Sequence, residues 1–340
     1  MAQMGLRSAI PPLVLCLPAL LPAQSWIPQT SGTTASLRGV SAVNERVVWA
    51  SGSGGTFLLT TDGGSTWHAG KIPGAERLDF RAIRAFDDRT AIVLSIGNGD
   101  ASRVYKTTDG GETWKLLFTN PDAKGFFDGL AFWDRNHGIL AGDPVDGAIV
   151  IFTTGDGGEH WQRRKMPPAA GNEGAFAASN TSLALYGKRD VWLGTSSAAR
   201  VFHSSDGGIT WTVAATPVRN DGNAAGIFSV AFADARHGMI VGGDYSKDKE
   251  DRRNIAVTSD GGKSWSAPAG HPGGFRSAVA YIADRRIWVA AGTSGSDISL
   301  DAGATWKNFD TGSFNALAFV SSKAGWAVGG RGRIARFAPE

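Results

Sequence analysis

One eight-residue phrase recurs six times along this chain, and it restricts the fold more than any other feature. It reads Thr60-Thr-Asp-Gly-Gly-Ser-Thr-Trp67, recurs in copies that end at Trp114, Trp161, Trp211 and Trp265, and closes with a looser copy, Ser299-Leu-Asp-Ala-Gly-Ala-Thr-Trp306. Its aspartates stand at Asp62, Asp109, Asp156, Asp206, Asp260 and Asp301, in steps of 47, 47, 50, 54 and 41 residues. A near-constant period over six copies means one supersecondary unit, repeated and stabilised by stacking on its neighbours. The phrase has its own turn chemistry. The Asp carboxylate accepts from backbone N–H groups further along the turn, the glycines supply positive φ, and the Trp opens the next strand facing the core. The six aspartates are therefore read as structural.

Each phrase is preceded by two further strand signals. An apolar inner strand is read at residues 80–86, 127–132, 227–232, 276–281 and 314–319, and a Trp- or Gly-flanked strand at 47–50, 138–141, 191–194, 238–241, 287–290 and 325–328. With one strand entering the phrase and one leaving it, every unit has four strands, and no helical period is sustained. A seventh unit over residues 314–337 stops where its phrase should begin, while Ser25-Trp-Ile-Pro-Gln29 resembles a phrase ending without its start. Joining the two predicts an all-β, seven-bladed β-propeller over residues 24–340, closed by N- and C-terminal strands sharing one blade. The inner strand of the fourth unit, near Phe176, does not align with the others.

Residues 1–23 read as a signal peptide: Arg7, then an apolar stretch over residues 10–21, then a cleavage point after Ala23. The expectation is an exported, periplasmic or secreted protein. The single cysteine, Cys16, falls within the leader, so disulfides, Cys–zinc sites and a Cys nucleophile are excluded from the mature chain. A net charge of +3, from 34 basic and 31 acidic residues without a long basic run, argues against a nucleic-acid partner. The histidines have no zinc spacing, and glycine runs such as 52–55 precede no helix, so no metal or cofactor is expected. His137 and His237 read as turn residues, and His160 replaces a phrase threonine. A monomer is expected.

In such a propeller the loops entering the inner strands, and those joining the second and third strands, share one face. Aligning the inner strands on Val40, Ile83, Leu130, Val230, Val279 and Leu317 puts Arg38, Arg81, Asp128, Phe228, Ser277 and Asn315 at one ring level, with Arg276, Phe80, Phe127 and Phe314 one residue earlier. Positions repeated for structure should be alike, and these differ in charge and polarity, as at a channel-mouth site. The second loop set adds Asp143, Asp146, Asp244 and Tyr245. These loops have oxygen ligands for calcium but not the spacing of a dedicated motif. The charge run at 246–253 reads as a solvated loop tip. The expected ligand is a protein or a glycan.

The phrase is identified as the Asp-box, or BNR, repeat. Propellers carrying it include sialidases, which use an arginine cluster, a Tyr nucleophile paired with Glu, and an acidic Asp. Arg38, Arg81 and Arg276 would be the cluster here and Tyr245 the one suitably placed tyrosine, since Tyr105 lies on a strand entering a box. A sialidase-like glycoside hydrolase is thus the alternative reading. The Phe/Tyr-Arg-Ile-Pro phrase of sialidases is absent, and no catalytic residue is assigned. Over essentially the whole mature chain, the boxes together with Gly325-Trp-Ala-Val-Gly-Gly-Arg-Gly-Arg-Ile334 resemble the photosystem II assembly and stability factor family. That resemblance implies an exported seven-bladed propeller acting as a non-enzymatic scaffold. It would hold a membrane-protein precursor through an arginine-rich patch, to which Arg38, Arg81 and Arg276 are loosely comparable.

Overall fold

A computed structural model describes residues 24–339; the leader expected over residues 1–23 lies outside them. The described chain forms seven antiparallel sheets arranged as the blades of a propeller, with two 3-10 turns as its only helical elements. Blade one comprises β2 (Leu37–Ala42), β3 (Val48–Gly52), β4 (Thr56–Thr60) and β5 (His68–Lys71). Blade two comprises β6 (Asp79–Ala85), β7 (Ala91–Ile96), β8 (Arg103–Thr107) and β9 (Lys115–Thr119). In blade three are β10 (Phe127–Phe132), β11 (Gly138–Val145), β12 (Ala148–Thr154) and β13 (Gln162–Arg164). Blade four has β14 (Leu183–Tyr186), β15 (Asp190–Gly194), β16 (Arg200–Ser204) and β17 (Thr212–Ala215). Blade five has β18 (Ala225–Phe232), β19 (Gly238–Asp244) and β20 (Ile255–Thr258), and its fourth strand shrinks to a bridge between Val257 and Ser266. Pro268 follows that bridge and cannot donate to a ladder, so the strand stops there. Blade six comprises β21 (Ala278–Ile282), β22 (Ile287–Gly292), β23 (Gly295–Ser299) and β24 (Lys307–Asp310).

Blade seven closes the ring as its sequence implies. β25 (Ala316–Ser321), β26 (Ala324–Val328) and β27 (Ile334–Ala338) come from the C-terminus, and β1 (Ser25–Gln29) pairs with β27 as the outermost strand. Trp26 sits among Phe309, Phe314, Phe319 and Phe337, with ring centroids 5.4–6.0 Å away, and its Nε1–H donates to Ser296 Oγ at 3.0 Å in blade six.

The core is divided. One apolar cluster fills each junction between neighbouring blades, such as Leu37, Trp326 and Val328 between blades seven and one. Trp49, Trp192 and Trp326, all on second strands, are fully buried in such junctions. The second strand is covered on both faces, which is why it reads as a continuous apolar run rather than an alternating one.

The Asp-box hairpins follow the chemistry their residues dictate. Thr60 donates its hydroxyl to Asp62 Oδ1 at 2.8 Å, Gly64 N–H donates to Thr60 Oγ1 at 2.9 Å, and Asp62 accepts the Thr66 N–H at 2.9 Å and its hydroxyl at 2.6 Å. The same bonds recur at Asp109, Asp206, Asp260 and Asp301. In the third box His160 Nδ1 takes the place of the threonine hydroxyl, 2.7 Å from Asp156. His137 and His237 each bond the aspartate three residues earlier in a turn.

Blade four departs from the repeat. Its inner strand begins only at Leu183, and residues 174–182 pass through the axial channel before joining it. Arg81 of blade two donates to Ala177 O at 3.0 Å, and Ser179 Oγ donates to Ser277 O of blade six at 2.7 Å. Asn180 pairs with Leu130 of blade three, accepting its N–H at 2.9 Å and donating to its carbonyl at 3.0 Å. Thr181 O accepts Val230 N–H of blade five at 2.7 Å. The segment therefore descends from the ring level of Arg81 to that of Leu130 and Val230 and plugs the channel.

Candidate functional site

The face opposite the Asp-boxes carries the residues singled out from sequence. Arg38, Arg81, Asp128 and Phe228 share one device: each is the extra residue of a β-bulge where the inner strand meets its neighbour. A bulge leaves one residue outside the ladder and re-aims its side chain. Here that residue lies at the channel mouth instead of in a blade junction.

Blades one to three supply a charged cluster. Arg81 Nε donates to Asp79 Oδ2 at 2.8 Å, and its Nη1 grips the plug at Ala177. Arg38 lies beside them. Its guanidinium pKa is pushed down by burial and by the neighbouring Arg81, with Asp79 acting in the opposite direction. Among the described residues no side-chain hydrogen bond or ion pair reaches Arg38, and its buried Nε has no partner. Asp128 is buried facing Asp143 of β11. Burial first, and the charge of Asp143 second, push its carboxyl well above the ordinary range, while Arg81 works against the shift. Burial also raises Asp143, but the Ala175 N–H, donating at 3.1 Å, and Asp128 stabilise its charge. Two such facing carboxyls titrate as a pair, and burial and mutual repulsion push the proton affinity of the pair upward, Asp128 the more strongly.

Blade five supplies an aromatic cluster. Phe176 of the plug stacks on Phe228 at 3.7 Å between centroids, Phe275 meets Phe228 edge-on, and Tyr245, 55% exposed, stands edge-on over both Phe176 and Phe228. Asp244 is mostly buried, and its carboxylate accepts the Ser246 N–H at 2.9 Å and hydroxyl at 2.6 Å.

The other candidates have different duties. Asp146 and Gly147, both at positive φ, form the two-residue turn joining β11 to β12, so Asp146 is exposed at a hairpin tip. Arg276 is fully buried and ion-paired with Asp297, with contacts of 2.6 Å from Nε and 2.5 Å from Nη2; its Nη1 donates to Phe275 O and Ser294 Oγ. It occupies the position that Leu37, Phe80, Phe127, Ile227 and Phe314 fill in other blades, which faces a junction and not the surface. Ser277 and Asn315 are buried too. Ser277 donates to Asn315 O at 2.8 Å and Asn315 Nδ2 to Leu37 O at 2.9 Å, tying blades six, seven and one together.

Arg276 therefore does not join Arg38 and Arg81, and among the described residues no Glu is hydrogen-bonded to Tyr245. Asp143, Asp146 and Asp244 do not converge either; no group of three or more His, Cys, Asp or Glu comes together among the described residues. The charge run after Tyr245 is exposed at its tip but anchored. Arg219 pairs with Asp221 at 2.5 Å and with Glu250, and Asp248 O accepts the Phe275 N–H at 2.9 Å.

Three participants escaped sequence reasoning: Asp79, Phe176 and Glu173. The buried Glu173 accepts from Thr195 Oγ1 at 2.7 Å and from Arg200, fastening the start of the plug to blade four. The failure of blade four to align was the available signal.

Fold and face together define an Asp-box propeller with a plugged axis and a charged, aromatic top. Comparison with known proteins agrees. The BNR/Asp-box repeat family matches residues 105–116. A structure of YCF48 bound to D1 peptide is 18% identical, with a TM-score of 0.66 over 94% of this chain and 98% of that one. YCF48 from Cyanidioschyzon merolae is 20% identical, with a TM-score of 0.65 over 93% and 99%. No curated protein sequence matches significantly. These findings fit the resemblance to the photosystem II assembly factor family, and the fold they share is the seven-bladed propeller.

Proposed function

We propose that the chain is a non-enzymatic scaffold that receives an extended segment of a protein partner across its plugged top face. The observation that carries this reading is Arg38. It is a half-buried guanidinium beside Arg81, which alone holds Asp79, and it has no acceptor of its own. A backbone carbonyl or carboxylate would supply that acceptor, and the exposed Tyr245 offers a stacking surface across the mouth. With the axis filled by residues 174–182, a ligand lies over the face instead of threading it. The likeness to a propeller solved with a bound peptide supports a protein ligand over a glycan. A membrane-protein precursor met after export belongs to the same reading and rests on the N-terminal leader; fractionation of the native host tests that part.

The decisive experiment places a photoreactive aromatic residue at position 245 in the native host and maps what is crosslinked, with the D1 peptide as a first probe in vitro by fluorescence anisotropy. Capture of one defined protein segment by the otherwise wild-type chain, lost in Arg38→Ala/Arg81→Ala, is the expected result. Glycoside turnover by purified protein that disappears in Tyr245→Phe would replace this reading with the hydrolase.

A further inference from the structure

The box-side half of the axial channel is a separate cavity of about 470 Å³, lined by residues at and below the ring level of Val40, Ile83 and Leu130 and bounded by Asn180 of the plug. Its width has a simple cause. The inner-strand position following the anchor residue is Ser41 in blade one and alanine in blades three to seven, so six blades leave space around the axis. Blade two places Arg84 there.

Arg84 is half-buried, and its Nε is enclosed without a hydrogen-bond partner. Among the described residues its guanidinium forms no ion pair; the single contact of note is with the Phe86 ring, 5.7 Å away. Three other arginines removed from water have acids: Arg276 has Asp297, Arg200 has Glu173, and Arg219 has Asp221 and Glu250; Arg38, at the opposite mouth of the channel, shares the unpaired state of Arg84. The acid nearest in sequence, Asp87, is held by Arg135 at 2.7 Å. No Asp or Glu lines the cavity. Burial alone lowers the Arg84 pKa, with no carboxylate acting to restore it. A guanidinium stays protonated even so, and a buried charge needs a counter-charge.

We propose that this cavity binds a small oxyanion, a carboxylate or a phosphate, through Arg84. The guanidinium fork matches either group in a bidentate fashion. Ser41 adds a second donor: its Oγ accepts the Ala85 N–H at 3.0 Å, and its own proton has no acceptor among the described residues. Asn180 is committed to Leu130, so it bounds the cavity without contributing a donor. The volume lies within the range that accommodates a small organic molecule. The site is independent of whatever the opposite face binds.

Isothermal titration of the full-length protein with acetate, citrate and inorganic phosphate, at constant ionic strength set by chloride, tests this and separates carboxylate from phosphate. The wild type is expected to bind at least one of them at a single site. Arg84→Met should weaken that affinity by about ten-fold or more, the value of a charge-assisted bond, while Lys307→Ala, an exposed cation on an outer strand, leaves it unchanged. Arg84→Met should also raise Tm in anion-free buffer, because it removes an uncompensated charge, which shows that the variant folds. Ala318→Leu, which fills the cavity and keeps Arg84, should abolish binding as well. Absence of binding by wild type to all three anions, or equal binding by Arg84→Met, overturns the proposal.

Discussion

Asp128 and Arg276 show how single positions in a repeat acquire separate roles. Both interrupt an apolar inner-strand pattern, yet one faces the channel from a bulge and the other faces a blade junction. Asp128 is folded with its carboxyl pKa raised, so the folded state binds that proton more tightly than the unfolded chain. Its contribution is therefore intact at low pH and lost as pH rises from the ordinary carboxylate range through the folded value. Asp128→Asn keeps the shape and a donor toward Asp143 without the titration. It is expected to raise Tm at pH 8 more than at pH 5, as read by thermal melts at the two pH values. Arg276 is the opposite case, a permanent charge balanced in the core. Asp297→Asn leaves it uncompensated and should cost about 3–5 kcal/mol, measured by urea unfolding.

At the scale of the element, the Asp-box is a hairpin held by a carboxylate. The Thr113 hydroxyl and N–H hold Asp109 at about 2, and the His160 N–H and ring hold Asp156 at about 2. Because these folded values lie below those of the unfolded chain, the stabilisation is complete above about pH 4 and is lost as pH falls toward the folded values. Amide exchange at the Thr66, Thr113 and Thr210 N–H groups should thus keep its protection relative to the strands down to about pH 4 and lose it below. The last box breaks the glycine rule with Ala302 at φ 58°. A left-handed alanine is strained by about 1 kcal/mol, so Ala302→Gly should be neutral to stabilising, whereas Gly303→Ala, at φ 91° and facing Met239, should destabilise. Paired chemical denaturation of the two variants checks the contrast.

For the whole molecule, closure is the central event, because seven stacked sheets without it leave two apolar faces in water. Trp26 is the contact that converts an array into a ring: it belongs to the first strand and lies in the junction between the last two blades. Trp26→Ala should cost about 3–5 kcal/mol, the usual range for a buried aromatic. Limited proteolysis should then cut first in blade seven and the segment before β2. The plug is also a global feature, since its hydrogen bonds reach blades two, three, five and six. It divides the axis into a charged, aromatic top face and a cavity open toward the boxes.

The blade count, the sharing of β1 with the C-terminal blade, the box hairpins and the ring level of Arg38, Arg81 and Asp128 were all legible in sequence. Each rests on local chemistry repeated at a fixed period, so one copy interprets the next. What the tertiary structure alone decided lies where the repeat fails or where neighbours meet. Arg276 stands one residue before the ring level, where other blades place apolar residues, and what lets a charge occupy that junction is Asp297, two strands away. Residues 174–182 have no repeat to be compared with, and their path through the axis is set by acceptors and donors in four other blades. Arg84 reads as one arginine among many until the other six blades are seen to leave the axis open around it. Periodicity encodes which elements form and in what order, whereas the pairing of charges across an axis depends on distances that only the closed ring establishes.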